Sequence, residues 1–192
     1  MASVYNAADL KKGVKLEIDG DPWVITEFDF CKPGKGQALY RCKMKNMITG
    51  STRENTYRSS EAGLAKAELE EKHMHYSYKD GEEYVFSDAE TFEEMRVDKK
   101  TLGDQAYFLI EEAACTLLMF KGRVVEITLP VFIEKEIIET EPGARGNTAT
   151  NINKSARIDN GYEIFVPLFV NQGDIVKIDT RTGQYSERVR KA

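Results

Sequence analysis

Long apolar runs are missing from this chain. The longest, residues 164–170, has seven members and includes a proline, far short of the ~18 that a membrane-spanning helix requires. A transmembrane helix is excluded. Cysteine is also scarce: Cys31, Cys42 and Cys115 are odd in number and widely spaced, which suits neither a disulfide framework nor a CxxC redox or zinc site. Small buried thiols are expected. The only histidines, His73 and His75, share one face of a predicted strand, but zinc normally takes three or four protein ligands and no further His or Cys lies near them. No metal site is expected. Absent too are a G-x-S-x-G elbow, a G-x-G-x-x-G turn and a phosphate loop; around Gly34-Lys35, Asp29 stands where that loop's first glycine should be and Gly36 where its hydroxyl should be. The adjacent carboxylates Glu93/Glu94 and Glu111/Glu112 sit in an acidic segment and read as solvated faces. Catalysis is not expected. The first residues lack a basic stretch followed by an apolar one, so no secretory signal is read and a cytoplasmic location is expected.

What is present is an uneven distribution of charge. The 192 residues carry a net charge of -5, but residues 1–60 sum to +3, residues 61–130 to -8 and residues 131–192 to zero. Residues 31–58 hold Lys32, Lys35, Arg41, Lys43, Lys45, Arg53 and Arg58 against Glu54 alone. Such a local excess suits a polyanionic partner, although a solvated sheet face would carry the same signature.

Period-2 alternation and turn dipeptides dominate, so the chain reads as mostly β. Strands are expected at residues 14–18, 23–30 and 38–46. On the last of these Tyr40, Cys42 and Met44 fall on one face and Arg41, Lys43 and Lys45 on the other. Residues 60–69 read as a short helix-prone link from a Ser60 cap, and residues 104–114 as the best helix, capped by Asp104. Strands at 72–78 and 83–86 form a hairpin, strands at 117–120 and 123–129 surround Lys121-Gly122, and the last third adds strands at 132–139, 162–166, 175–179 and 184–189. Boundaries near 66 and 130 divide the chain into segments 1–65, 66–130 and 131–192, each built as a small β-barrel.

Within the long hairpin lies Lys32-Pro33-Gly34-Lys35-Gly36-Gln37. Two glycines strip bulk from around Lys35 and the proline stiffens the entry, so one ammonium is presented on a narrow finger. This tip, with Ala38 and the run to Thr49-Gly50, resembles that of the bacterial elongation factor P family. Lys154-x-Ala156, Gly161, Ile164-x-Val166-Pro167, Val170 and Gly173 have the spacing of that family's C-terminal signature, and Asp179-Thr180-Arg181-Thr182-Gly183-x-Tyr185-x-x-Arg188 resembles its closing strands.

The resemblance implies an all-β chain of three small barrels: an SH3-like (KOW-like) domain and two OB folds in an L-shaped, tRNA-like arrangement. It implies a monomeric factor that binds the 70S ribosome between the P and E sites. There it stimulates peptide bond formation at proline runs, without cofactor or metal. Lys35 would reach the acceptor end of P-site peptidyl-tRNA, shaped by Lys32, Pro33, Gly34, Gly36 and Gln37, and would carry a β-lysyl-type extension added by a modifying enzyme. Arg41, Lys43, Lys45, Arg53 and Arg58 would face RNA, ribosomal RNA included. Tyr185 and Arg188 match positions that touch P-site tRNA. Gly146, Asn147, Thr148 and Ala149 match a loop facing the E-site codon, where the family usually reads Gly-Asp-Thr-Ala-Gly. The rival readings are a general single-stranded RNA-binding OB protein and a divergent ribosome-binding paralogue that prefers other stalling motifs.

Overall fold

The computed structural model describes residues 3–141 and 153–192. Strands dominate, as the alternation predicts, and they form three main sheets. By internal packing the chain divides into two units: Met1–Lys72 with Leu117–Ile127, and His73–Thr116 with Thr128–Ala192.

In the first unit, β1 (Val4–Tyr5) precedes β2 (Lys15–Ile18), β3 (Asp21–Cys31), β4 (Leu39–Asn46), β5 (Thr52–Arg58) and β6 (Leu64–Ala65). Strands β2 to β5 pair in sequence order, and β1 pairs β6. Alternation places Leu16, Trp23, Ile25, Cys42, Met44 and Tyr57 in one buried cluster with Ala7, Leu10 and Val14. Burying a side chain such as Ile25 contributes roughly 1.5–3 kcal/mol. Residues 60–69 form no helix. Gly63 takes a positive φ, and Leu64 and Ala65 pair instead with Tyr5 and Val4, so a strand partner distant in sequence overrides local propensity.

The second sheet is ordered β11-β10-β7-β8-β9, from β7 (Leu69–Asp80), β8 (Glu83–Ser87), β9 (Glu94–Asp98), β10 (Ala114–Phe120) and β11 (Arg123–Thr128). Strands β5 and β9, and Asn153–Ile158 later in the chain, were not expected as strands from the sequence. The expected helix is displaced: α1 (Lys99–Leu102) is a single turn, capped by Asp98 accepting from the Thr101 amide at 2.7 Å, and a 3-10 turn follows over Gly103–Phe108. The chain turns extended at Leu109, whose ψ is 137°, and beyond it the Glu112 amide donates to the Tyr76 carbonyl at 2.8 Å.

The third sheet, β14-β13-β12-β15-β16, lies in the second unit. It comprises β12 (Phe132–Thr140), β13 (Asn153–Ile158), β14 (Glu163–Pro167), β15 (Ile175–Asp179) and β16 (Gln184–Arg190). The first half of β12 pairs β15 and its end pairs β13 across a bulge between Ile137 and Glu139. A bulge there lets one strand serve two ladders. Ile137, Ile158, Ile164, Val166, Val176 and Ile178 fill the core.

Candidate nucleic-acid interface

The finger is the far end of the β3-β4 hairpin. Pairing runs from Trp23 with Asn46 out to Cys31 with Leu39, leaving 32–38 as the loop. Phe30 and Tyr40 brace its base with ring centroids 5.3 Å apart, and Phe28 meets the same tyrosine at 6.1 Å. Phe30 remains 50% exposed, an aromatic surface beside the tip. The loop is tied at one side: Ser60 Oγ donates to Gln37 Oε1 at 3.0 Å, and the Ser59 amide to the Ala38 carbonyl at 2.9 Å. Gly36 has φ +127, and a Cβ there would meet nothing nearer than Pro33 Cγ at 3.7 Å. Backbone conformation, not space, therefore demands glycine at this position. Lys32 and Lys35 are exposed and have no ion-pair partner among the described residues.

The strand face below the tip is more mixed than its sequence. Arg41, Lys43, Lys45 and Arg58 share the outer face, because in register they oppose Thr56, Glu54, Thr52 and Leu39. Carboxylates from β3 interleave with them: Lys43 donates to Glu27 at 2.9 Å, and Asp29 lies opposite Arg41. The Glu27 hydrogen bond and charge hold the Lys43 ammonium above its ordinary pKa. Arg53 faces the other way. Its guanidinium stacks on Trp23 at 4.3 Å and reaches Asp19 at 3.5 Å, so the structure separates it from the other four. In a strand, a residue one register step from Lys43's partner must point to the opposite side.

Tyr185 and Arg188 both lie on β16, opposite Ile178 and Val176. Arg188 Nη1 donates to the Phe169 carbonyl at 3.1 Å and to Asp174 Oδ2 at 3.2 Å, and the guanidinium sits 5.0 Å from the centre of the Phe169 ring. Burial pushes the Tyr185 phenol up, against the nearby Arg188 charge. The fully buried Asp174 was not singled out by sequence reasoning, because its signal is a single carboxylate after Gly173. Its carboxylate also accepts from the amides of Asn171 and Ala192, each at 2.9 Å. Phe165, Leu168 and Phe169 stand exposed nearby in sequence. Gly146, Asn147, Thr148 and Ala149 lie outside the described residues.

Of the remaining candidates, His73 Nδ1 meets Thr116 Oγ1 at 3.2 Å, and His75 Nδ1 is buried with no hydrogen-bond partner in the described structure. Cys42 and Cys115 are buried, but Cys31, next to the finger, is only partly so. In the first unit an unpaired ammonium beside an aromatic brace, and separately in the second a tethered guanidinium, are each able to bind a polyanion.

Comparison with known proteins finds three family models along the chain. A family model described as the elongation factor P (EF-P) KOW-like domain matches residues 6–62, one described as the EF-P OB domain matches residues 69–127, and one for the elongation factor P C-terminal region matches residues 133–188. Elongation factor P of Desulfotalea psychrophila is 48% identical over 188 residues, 98% of this chain and 100% of its own length. Its counterpart in Acetivibrio thermocellus is 47% identical over 186 residues, 97% of this chain and 100% of its own. Among solved structures, eukaryotic translation initiation factor 5A from Methanococcus jannaschii superposes with a TM-score of 0.56 at 20% identity, covering 67% of this chain and 93% of its own. That likeness concerns the fold.

Proposed function

Because the chain belongs to the elongation factor P family, whose members are translation factors and not enzymes, we propose that it associates with the 70S ribosome between the P and E sites and stimulates peptide bond formation at proline runs. The observation that carries this reading is the exposed, unpaired Lys35 on the Pro33-Gly34-Lys35-Gly36 loop of a braced hairpin. A loop restrained by Pro33 and by its tie to Ser59 and Ser60 loses less freedom on binding, so the ammonium can be placed against tRNA phosphates or sugars at reduced entropic cost. Holding the acceptor end of peptidyl-tRNA in a reactive geometry lowers the entropic part of a barrier that the ribosome itself surmounts.

In this reading a β-lysyl-type group on Lys35, added by a modifying enzyme, lengthens the reach of the finger. Arg41, Lys43, Lys45 and Arg58 lie on the face toward ribosomal RNA, where interleaved carboxylates leave the tip to supply most of the attraction. Tyr185 and Arg188 meet P-site tRNA near its anticodon stem, and the loop 146–149 meets the E-site codon. The three domains are 1–65, 66–130 and 131–192, and the protein acts as a cytoplasmic monomer. Lys35→Ala is the test. The variant should melt at the wild-type temperature yet fail to relieve stalling at proline runs in reconstituted translation; full relief by the variant would overturn the reading. Intact-mass measurement on protein from its own host reads out the extension on Lys35.

A further inference from the structure

A second basic feature lies in the first unit, outside the 31–58 stretch that the charge count singled out. Lys11, Lys12, Lys15 and Lys66 line a cleft of about 680 Å³ together with Tyr5. None of the finger's residues contributes to it. Its walls are fixed by backbone pairing. The Gly13 amide donates to Ile25 at 2.8 Å and the Ile25 amide to Val14 at 2.9 Å, which pins the 11–15 turn to β3. The Lys66 amide donates to Ser3 at 3.0 Å and the Ala67 amide to Lys15 at 3.2 Å, which pins the other wall to the first.

Three of the four ammonium groups in this cleft have no ion pair among the described residues, and the lysines outnumber the two carboxylates of the lining. Lys11, Lys12 and Lys66 have no carboxylate partner among the described residues. The Lys66 ammonium sits 5.8 Å from the centre of the Tyr5 ring, a contact that orients the charge without neutralising it. Lys15 reaches only the half-exposed Glu126, at 3.6 Å, a pair of little strength. Like charges held together on a fixed frame cost free energy unless an anion joins them. The lining has lysines but no arginine, and two carboxylates, Glu68 and Glu71, border it. Spaced ammonium charges suit the repeating phosphates of a nucleic acid, to which lysine binds as a point charge.

We propose that this cleft is a second RNA contact, gripping the phosphodiester backbone of ribosomal RNA through Lys11, Lys12 and Lys66. The inference rests on the ribosome reading given above and adds a site to it. The test measures equilibrium binding of the full chain to 70S ribosomes carrying P-site tRNA as potassium chloride is raised. Wild type is compared with Lys11→Gln/Lys12→Gln/Lys66→Gln, and with the same three positions changed to Arg. Loss of three phosphate contacts should reduce the slope of log K against log salt by about 2 and weaken binding by roughly tenfold to hundredfold at 0.1 M salt. The arginine variant should retain both. Ultraviolet cross-linking should leave nucleotide adducts on peptides containing Tyr5 or Lys66. An unchanged slope and affinity in the glutamine variant, or cross-links from those peptides to a ribosomal protein alone, would overturn the proposal. Wild type that fails to bind ribosomes at all would overturn the ribosome reading and this one with it. Wild type that binds, with Lys35→Ala losing stall relief and the glutamine variant binding normally, would overturn only the cleft.

Discussion

Replacing Asp174 by asparagine removes one negative charge from the end of the third sheet while nearly preserving shape. The carboxylate is fully buried, at 0% exposure, and accepts from the Asn171 and Ala192 amides and from Arg188. Burial alone would raise its pKa, and these three donors outweigh burial and hold it below the usual carboxylate value. A carboxyl depressed in the folded state contributes stability above its unfolded pKa of about 3.9, and that contribution is lost as pH falls through the folded value. An asparagine amide presents one acceptor oxygen and turns an NH₂ toward donors, so at least one amide or the guanidinium is left facing a donor. A hydrogen bond to a charged group contributes about 1.5–3 kcal/mol and an orphaned buried donor costs about 1–3 kcal/mol. The Arg188 side chain is 29% exposed and water recovers part of its loss, so the expected cost near neutral pH is roughly 2–4 kcal/mol. Urea unfolding of Asp174→Asn from pH 7 to pH 2.5, alongside Arg188→Ala and the double variant, supplies the assay. The variant's deficit should shrink as the wild-type carboxyl protonates, and the double-mutant cycle should return a coupling of about 1–2 kcal/mol. A deficit below about 0.5 kcal/mol at pH 7, or one of equal size at pH 2.5, would refute the reasoning.

Two further outcomes follow from packing and burial. A Cβ at Gly183, which has φ +69, would lie 3.1 Å from Tyr162 Oη and 3.2 Å from Phe108 Cζ. Gly183→Ala should therefore cost about 2–4 kcal/mol, combining the left-handed penalty with crowding against two rings; thermal melting that shows less than about 1 kcal/mol would contradict the close approach. Burial raises the Cys42 thiol, and lifts that of Cys115 to about 11 despite a hydrogen bond that opposes the shift. Cys31 is only partly buried and should react first with a thiol reagent at pH 8 in the native protein, with Cys42 and Cys115 labelled only on unfolding. Equal rates at all three positions, followed by peptide mass spectrometry, would count against these burial assignments.

How much could be read from residues alone depended on where each element finds its partners. The β4 alternation was legible because Cys42 and Met44 are buried while Arg41 and Lys45 are exposed, and the finger was legible because its glycines and proline act locally. Strand β5 was hidden because its inward side carries Arg53 and Asn55 as well as Tyr57. Arg53 is accommodated there by Trp23, and Asn55 Nδ2 donates to Tyr57 Oη at 3.2 Å. Strand β9 buries Val97 alone, too little for a period to show. The displaced helix has a similar cause: Asp98, not Asp104, supplies the cap, and Gly103 ends α1 after four residues. Each miss occurs where a tertiary partner, invisible in the local pattern, decides the conformation.

The same non-local pairing changes what the basic stretch means. Counted along the chain, residues 31–58 are nearly all positive. Folded, the strand portion is interleaved with Glu27 and Asp29 from β3 and Glu54 from β5. Lys43 is engaged by Glu27, and the small hollow over this face is lined by acidic and basic side chains together. A face of alternating sign attracts polyanions weakly, because its field falls off within a short distance in salt. Lys32 and Lys35 lie beyond the last strand pair, past the reach of these carboxylates, and keep an uncompensated charge. The hairpin therefore concentrates its attraction for phosphate at the tip. That arrangement suits the positioning role proposed for the finger, since a uniformly basic strand would hold RNA along its length and in many registers.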